Sequence, residues 1–240
     1  MSNTLTTIGF DADDTLWHNE RYFALTQAHF AQLLAEHTDR EALMARLLAA
    51  ERRNLPHYGF GIKGFTLSMI ETAIEVTDGR APASVISQIL DAGREMLSHA
   101  VDLLPQVADT VEALRHSYKV IVITKGDLLD QERKLAQSGL RDLFHGVEIV
   151  AAKTPQTYTR IFGQHGTGAD QGLMVGNSMA SDVIPMIDAG GWGVFAAHGP
   201  IWEIEHAQPP ASARYREIDN IGRLPTLIDR ITGDLEDTGA

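Results

Sequence analysis

The segment Thr7-Ile8-Gly9-Phe10-Asp11-Ala12-Asp13-Asp14-Thr15-Leu16-Trp17 ends an apolar, strand-like run on three aspartates and a threonine. A short buried strand that delivers acids to its C-terminal end sets them at the edge of a parallel sheet, where open α/β folds bind ligands. Asp11 and Asp13 are one residue apart. They share a face if the strand continues, and they can still converge on one cation if the chain turns. Carboxylates held that close resist joint ionisation unless something positive sits among them. A hard, oxygen-seeking ion such as Mg²⁺ suits that place, and phosphoryl transfer is the chemistry such a cluster points to. An acidic surface loop would carry the same residues, so the rest of the chain has to decide.

Three further groups follow apolar runs. Thr124-Lys125-Gly126-Asp127 comes after Val120 to Ile123, and offers a hydroxyl and backbone N–H groups to phosphate oxygens, with Gly126 allowing close approach. Lys153 precedes Thr154-Pro155, a pair suited to N-cap and first helical residue, so its ammonium lies near a helix N-terminus where an anion is favoured. Gly176-Asn177-Ser178-Met179-Ala180-Ser181-Asp182 follows Leu173 to Val175. Taken singly, a strand-end threonine reads as structural, a lone lysine as solvated surface, and Asp182 as a helix N-terminal acid.

The elements that must position these residues alternate. Apolar runs at 120–124, 147–150, 173–175 and 194–196 are separated by helical patterns, among them Val107 to Leu114, Leu128 to Ser138 with Gly139 as C-cap, and a helix opened by Pro155. With the first strand, Thr6 to Phe10, this predicts an α/β fold with a Rossmann-like parallel sheet covered by helices. Between residues 18 and 100 no strand signal occurs. Four helical patterns are expected there: one through Phe23 to Leu34, one ending before Leu55-Pro56, one after the glycine-rich turn 58–64, and one starting near Pro82. The chain is therefore read as a core of residues 1–17 plus 101–240, with a helical bundle inserted at 18–100. Residues 208–214 are expected to form a surface loop.

Four short motifs in this order, each after a predicted strand, resemble those of the haloacid dehalogenase-like (HAD) hydrolase superfamily, with the bundle in the place of a helical C1 cap. The resemblance implies Asp11 as nucleophile through an aspartyl-phosphate, Asp13 as general acid and base, and Thr124, the backbone at Gly126, and Lys153 steadying the phosphate. Mg²⁺ would be held by Asp11, the backbone carbonyl of Asp13, Asn177 and Asp182. Asn177 departs from the family pattern, which has an acid there. An amide supplies an oxygen but no charge, so a weaker metal site is expected. Asp13 is absent from true 2-haloacid dehalogenases, which favours a phosphatase. The implied substrate is a small phosphorylated metabolite, with Gly126, Lys63 and Trp17 among its contacts. The rival readings are a 2-haloacid dehalogenase, a phosphomutase, and a catalytically idle metabolite-binding protein.

Composition bounds the rest. In 240 residues, 20 basic side chains face 32 acidic ones, for a formal net charge of −12, which argues against nucleic acid or an anionic membrane as partner. With no cysteine there is no disulfide framework, thiolate metal site or cysteine nucleophile. Met1-Ser2-Asn3-Thr4 lacks the features of a secretory signal, so a cytoplasmic protein is expected, as a monomer or homodimer.

Overall fold

The computed structural model describes residues 5–196 and 198–233; Met1 to Thr4 lie outside them. Six strands, β1 (Thr7–Phe10), β2 (Lys119–Lys125), β3 (Gly146–Val150), β4 (Gly172–Gly176), β5 (Trp192–Ala196) and β6 (Tyr215–Ile218), form one sheet in the order β3-β2-β1-β4-β5-β6. β1 runs parallel to β2 on one side and β4 on the other, with Phe10 opposite both Val122 and Val175. The pairs β4–β5 and β5–β6 are also parallel. A central strand in such a sheet is covered on both faces, and all four residues of β1 are accordingly buried. Gly9 makes room: a Cβ there would lie 3.0 Å from Ile123 Cδ1 and 3.1 Å from Phe162 Cζ. Chain order reverses at β1, between β2 and β4. This is the switch point where the C-terminal strand ends leave a crevice.

The chain divides into two compact units, one of residues 1–18, 101–124 and 134–240, the other of residues 19–100 and 125–133. The first holds the sheet and the helices α5 (Val107–Arg115), α7 (Pro155–His165), α8 (Ile184–Asp188) and α9 (Leu224–Thr232), with the last residues of α6 (Leu128–Gln137). Its core has two parts. Ile8, Phe10, Val122, Val175 and Val194 pack with Val111, Leu224 and Ile228 in one, and Ile121, Ile123 and Met174 pack with Tyr158, Phe162 and Met186 in the other. Alternate residues of each strand thus serve opposite faces, as the pleat requires.

The second unit is helical: α1 (Glu20–Leu33), α2 (Arg40–Tyr58), α3 (Ile62–Val76) and α4 (Ala83–Met96), around Phe30, Leu43, Leu47, Phe65, Met69 and Ile89. Two sequence expectations are corrected here. α2 continues through Pro56 to Tyr58, because a proline in the last turn removes only one backbone bond and the helix then closes on Gly59, at φ 72°, whose N–H bonds Leu55 O. Residues 62–64, expected in the turn, already belong to α3. In the same unit Lys125 Nζ sits 3.8 Å above the Phe60 ring, and Asp127 accepts from Lys63 N and pairs with Lys63 Nζ at 3.3 Å. No helix among the described residues is long and apolar enough to cross a membrane.

Candidate active site

The acidic loop leaves β1 at Asp11, whose N–H bonds Val175 O across the switch point. It coils at once: Ala12 O accepts from Leu16 N at 2.8 Å, Asp14 N donates to Trp17 O at 2.7 Å, and Asp14 takes the left-handed φ of 58° that aspartate tolerates. Ala12 and Leu16 are fully buried, and this anchors the loop's far side in the core. Asp11 and Asp13 consequently point to different partners.

Asp11 is buried and meets three donors. Lys153 Nζ bonds its Oδ1, and Thr15 Oγ1 donates to its Oδ2 at 3.1 Å. The third is Asn177: in the amide orientation that satisfies both ends, its Nδ2 donates to Asp11 Oδ2 and to the Asp13 carbonyl oxygen, at 3.2 Å each. Lys153 is placed as the sequence suggests, directly before a helix with Thr154 as N-cap and Pro155 in the first turn. Its ammonium also bonds Asp182 Oδ1 at 2.6 Å, and the side chains of Lys153 and Asp182 are each only 1% exposed. The other Asp182 oxygen accepts from Ser178 N at 2.9 Å. Gly176 is required for this approach, because a Cβ there would collide with the Asp182 carboxylate and lie 2.8 Å from Asp11 Cβ.

Burial, then the charge of Asp182, push the Asp11 carboxyl up to about 7, against the opposing pull of Lys153. Burial acts against the Lys153 ammonium, but Asp11 and Asp182 together outweigh it and raise its pKa, so the lysine stays charged. Asp13 faces elsewhere: Trp17 Nε1 donates to its Oδ1 at 2.7 Å and Lys134 Nζ at 2.6 Å.

The sequence-predicted residues Asp11, Asp13, Lys153, Asn177 and Asp182 are therefore brought together, with Trp17 behind Asp13. Trp17 is buried in the core with its N–H committed to Asp13, which leaves no open ring face for a ligand. Thr124 is the penultimate residue of β2, the strand next to β1, and is buried. Gly126 and Lys63 belong to the helical unit; Gly126 has a φ of 130° and Lys63 pairs with Asp127.

Three participants, Lys134, Glu205 and Tyr158, were not singled out in the sequence, and Ser178 was placed only within its motif. Lys134 holds Asp13. Ser178 caps the turn after β4, accepting from Ser181 N at 2.9 Å. Glu205 Oε2 accepts from the hydroxyls of both Ser178 and Ser181, the latter at 2.6 Å. Tyr158 donates to Ser181 O at 2.9 Å. Only the folding together of distant segments brings Lys134, Glu205 and Tyr158 in, and no local pattern marks them.

Among the described residues no three His, Asp or Glu side chains converge as metal ligands. The convergent oxygens are of mixed type: Asp11 Oδ2 and the Asp13 carbonyl, with one amide atom of Asn177 at 3.2 Å from both. Oxygens in neighbouring positions around Mg²⁺, with ligands at 2.0–2.1 Å, stand about 3.0 Å apart. The spacing and the hard-oxygen character of this set fit such an ion.

At the switch point the structure thus gathers a buried carboxylate, an ammonium it shares with a second carboxylate, and a third carboxylate on the same loop. Residues 5–190 match the haloacid dehalogenase-like hydrolase family, and the chain belongs to it. It is similar to a haloacid dehalogenase-like family hydrolase of Xanthomonas campestris, at 40% identity over 96% of this chain and 93% of that one, with a TM-score of 0.87. The fold is shared with a predicted phosphoglycolate phosphatase of Haemophilus somnus (19% identity, 95% and 99% covered, TM-score 0.66). It is shared too with the L-2-haloacid dehalogenase of Xanthobacter autotrophicus carrying covalently bound chloropropionic acid (17%, 94% and 98%, 0.65). No curated protein matches the chain.

Proposed function

We propose that this hydrolase cleaves small phosphate monoesters, with Asp11 as nucleophile and Mg²⁺ as cofactor. The observation that carries the reading is Asp13. A halide leaves without a proton, whereas an alkoxide needs one, and this chain holds a second carboxylate on the nucleophile's loop between Lys134 Nζ and Trp17 Nε1.

Asp11 would attack phosphorus in line and form an aspartyl-phosphate, which divides one difficult displacement into two. Lys153, fixed between Asp11 and Asp182, would aim the nucleophile and offset negative charge as the equatorial oxygens gain it. Thr15 Oγ1 holds Asp11 Oδ2 and would limit rotation of the carboxylate. Asp13 would give a proton to the departing oxygen and later take one from water. Asp11 Oδ2, the Asp13 carbonyl and Asn177 are the residues that would hold Mg²⁺, with Asp182 fixing Lys153 rather than meeting the ion. Mg²⁺ would supply Lewis-acid stabilisation of the transferring phosphoryl group. Thr124, Gly126 and Lys63 are assigned to the phosphorylated substrate as part of the same proposal.

A 2-haloacid dehalogenase is the second reading, favoured by Asn177, which reduces the charge available to a cation. The discriminating experiment measures phosphate from a panel of small monoesters and halide from 2-haloacids, with and without Mg²⁺, for the native chain and Asp11→Asn. Metal-dependent phosphate release lost in Asp11→Asn supports the proposal. Halide release, or phosphate release indifferent to Asp11, overturns it.

A further inference from the structure

Asn177 faces two oxygens with a side chain that has two different ends. With nitrogen inward, the amide donates to both Asp11 Oδ2 and the Asp13 carbonyl. With oxygen inward, three acceptors meet with no proton among them, which is tolerable only around a cation. The same 3.2 Å separations suit hydrogen bonds in the first case and neighbouring ligand oxygens in the second. An aspartate at this position could serve only the second.

Charge points the same way. Asp11, Asp13 and Asp182 are matched here by Lys134 and Lys153, so with all three carboxylates ionised the cluster carries one net negative charge. A carboxylate at position 177 would make it two, in a pocket where Asp182 is fully buried.

We propose that Asn177 is a reversible amide gate: its Nδ2 closes the cation position when no divalent ion is present, and a half-turn of the amide presents Oδ1 when one binds. The inference rests on the cation position assigned above, but not on phosphate esters being the substrate. The reaction centre is thereby held together in the metal-free protein, at the cost of weaker metal affinity.

The test uses the full chain, purified with MgCl₂ and then exchanged into EDTA or titrated with MgCl₂. Thermal unfolding is read for the native protein, Asn177→Asp and Asn177→Leu, Mg²⁺ affinity by calorimetry, and the Asn177 side-chain amide by ¹H–¹⁵N NMR, assigned by its loss in the variants. Asn177→Asp is expected to melt below the native protein in EDTA, including outright unfolding on metal removal, and to bind Mg²⁺ at least about ten-fold more tightly. Asn177→Leu keeps the shape without either function and is expected to bind Mg²⁺ more weakly than the native chain. The Asn177 amide signals are expected to shift with Mg²⁺ at the calorimetric Kd.

Equal melting of native and Asn177→Asp proteins in EDTA overturns the inference. So do amide signals that stay fixed while Mg²⁺ binds, and the absence of Mg²⁺ binding to the native chain. Failure to release phosphate from any ester would sink the substrate reading and leave these measurements standing.

Discussion

Replacing Lys153 with methionine keeps the length of the side chain and removes the ammonium that Asp11 and Asp182 share. Both carboxylates bond one nitrogen, so their nearer oxygens lie within about 5 Å, where two unit charges at an effective dielectric of about 20 repel by about 3 kcal/mol. Breaking a buried pair by removing one partner costs about 3–5 kcal/mol, and the 1% exposure of Lys153 and Asp182 puts this site in that class. For a protein of this size the loss corresponds to roughly 6–20 °C in Tm.

The loss should depend on pH in a definite direction. Asp11 already stands near 7 with the lysine in place, and it rises further without it. Between those two values the folded variant holds a proton that neither the folded native protein nor the unfolded chain holds. Its stability therefore climbs relative to the native protein as pH falls through that window. Urea unfolding in EDTA followed by circular dichroism, from pH 9 to pH 6, reads the difference. The penalty should be largest at pH 9 and shrink toward pH 6, and Lys153→Met with Asp182→Asn should recover more than half of it. A penalty under about 1 kcal/mol at pH 9, or one that is flat with pH, would refute the electrostatic account.

Two further outcomes are expected. As the proposed nucleophile Asp11 would have to be ionised, so kcat/KM should fall on the acid side near pH 7 at limiting Mg²⁺, and that limb should move to lower pH as Mg²⁺ rises, since a nearby cation favours the carboxylate; a limb that ignores Mg²⁺ contradicts the proposed placement of the ion beside Asp11. Lys134→Met removes the 2.6 Å ion pair that holds Asp13 while the Trp17 N–H bond remains, so kcat should drop about 10–100-fold, measured by steady-state phosphate release; an unchanged kcat would mean that Asp13's position is set without the lysine.

What the sequence made legible follows from the range of each interaction. β1, β2, β4 and β5 are covered on both faces and read as apolar runs, and polar residues stand at or just past the ends of the first three, Asp11 after β1, Lys125 closing β2 and Asn177 after β4. β6 went unread because it is a four-residue edge strand, Tyr-Arg-Glu-Ile, with only Ile218 buried. An edge strand packs too little to need an apolar run. The loop expected at 208–214 leads straight into it, and Arg214 O anchors the start by accepting from Gly193 N. α9 carried a visible spacing in Leu224, Ile228 and Ile231, all buried, but its significance depended on a sheet edge that was not yet placed.

The site divides along the same line. Asp11, Asp13, Lys153 and Asp182 could be named because each follows a strand or opens a helix, and topology alone then brings them to one edge. Lys134 could not: it lies in Leu-Leu-Asp-Gln-Glu-Arg-Lys-Leu-Ala-Gln, a polar helix whose lysine reads as solvated, and it reaches Asp13 across 121 positions of sequence. Glu205 is equally silent until its segment meets the hydroxyls of Ser178 and Ser181. The unread residues share one role, since each satisfies a charge or hydroxyl that the motif residues expose. A motif specifies the groups that react, but burying them creates a second demand for counter-charges and donors. Any element that packs nearby can meet that demand, so these partners leave no fixed spacing in the chain. Lys134, Glu205 and the Asn177 amide are the answers this structure gives to that demand.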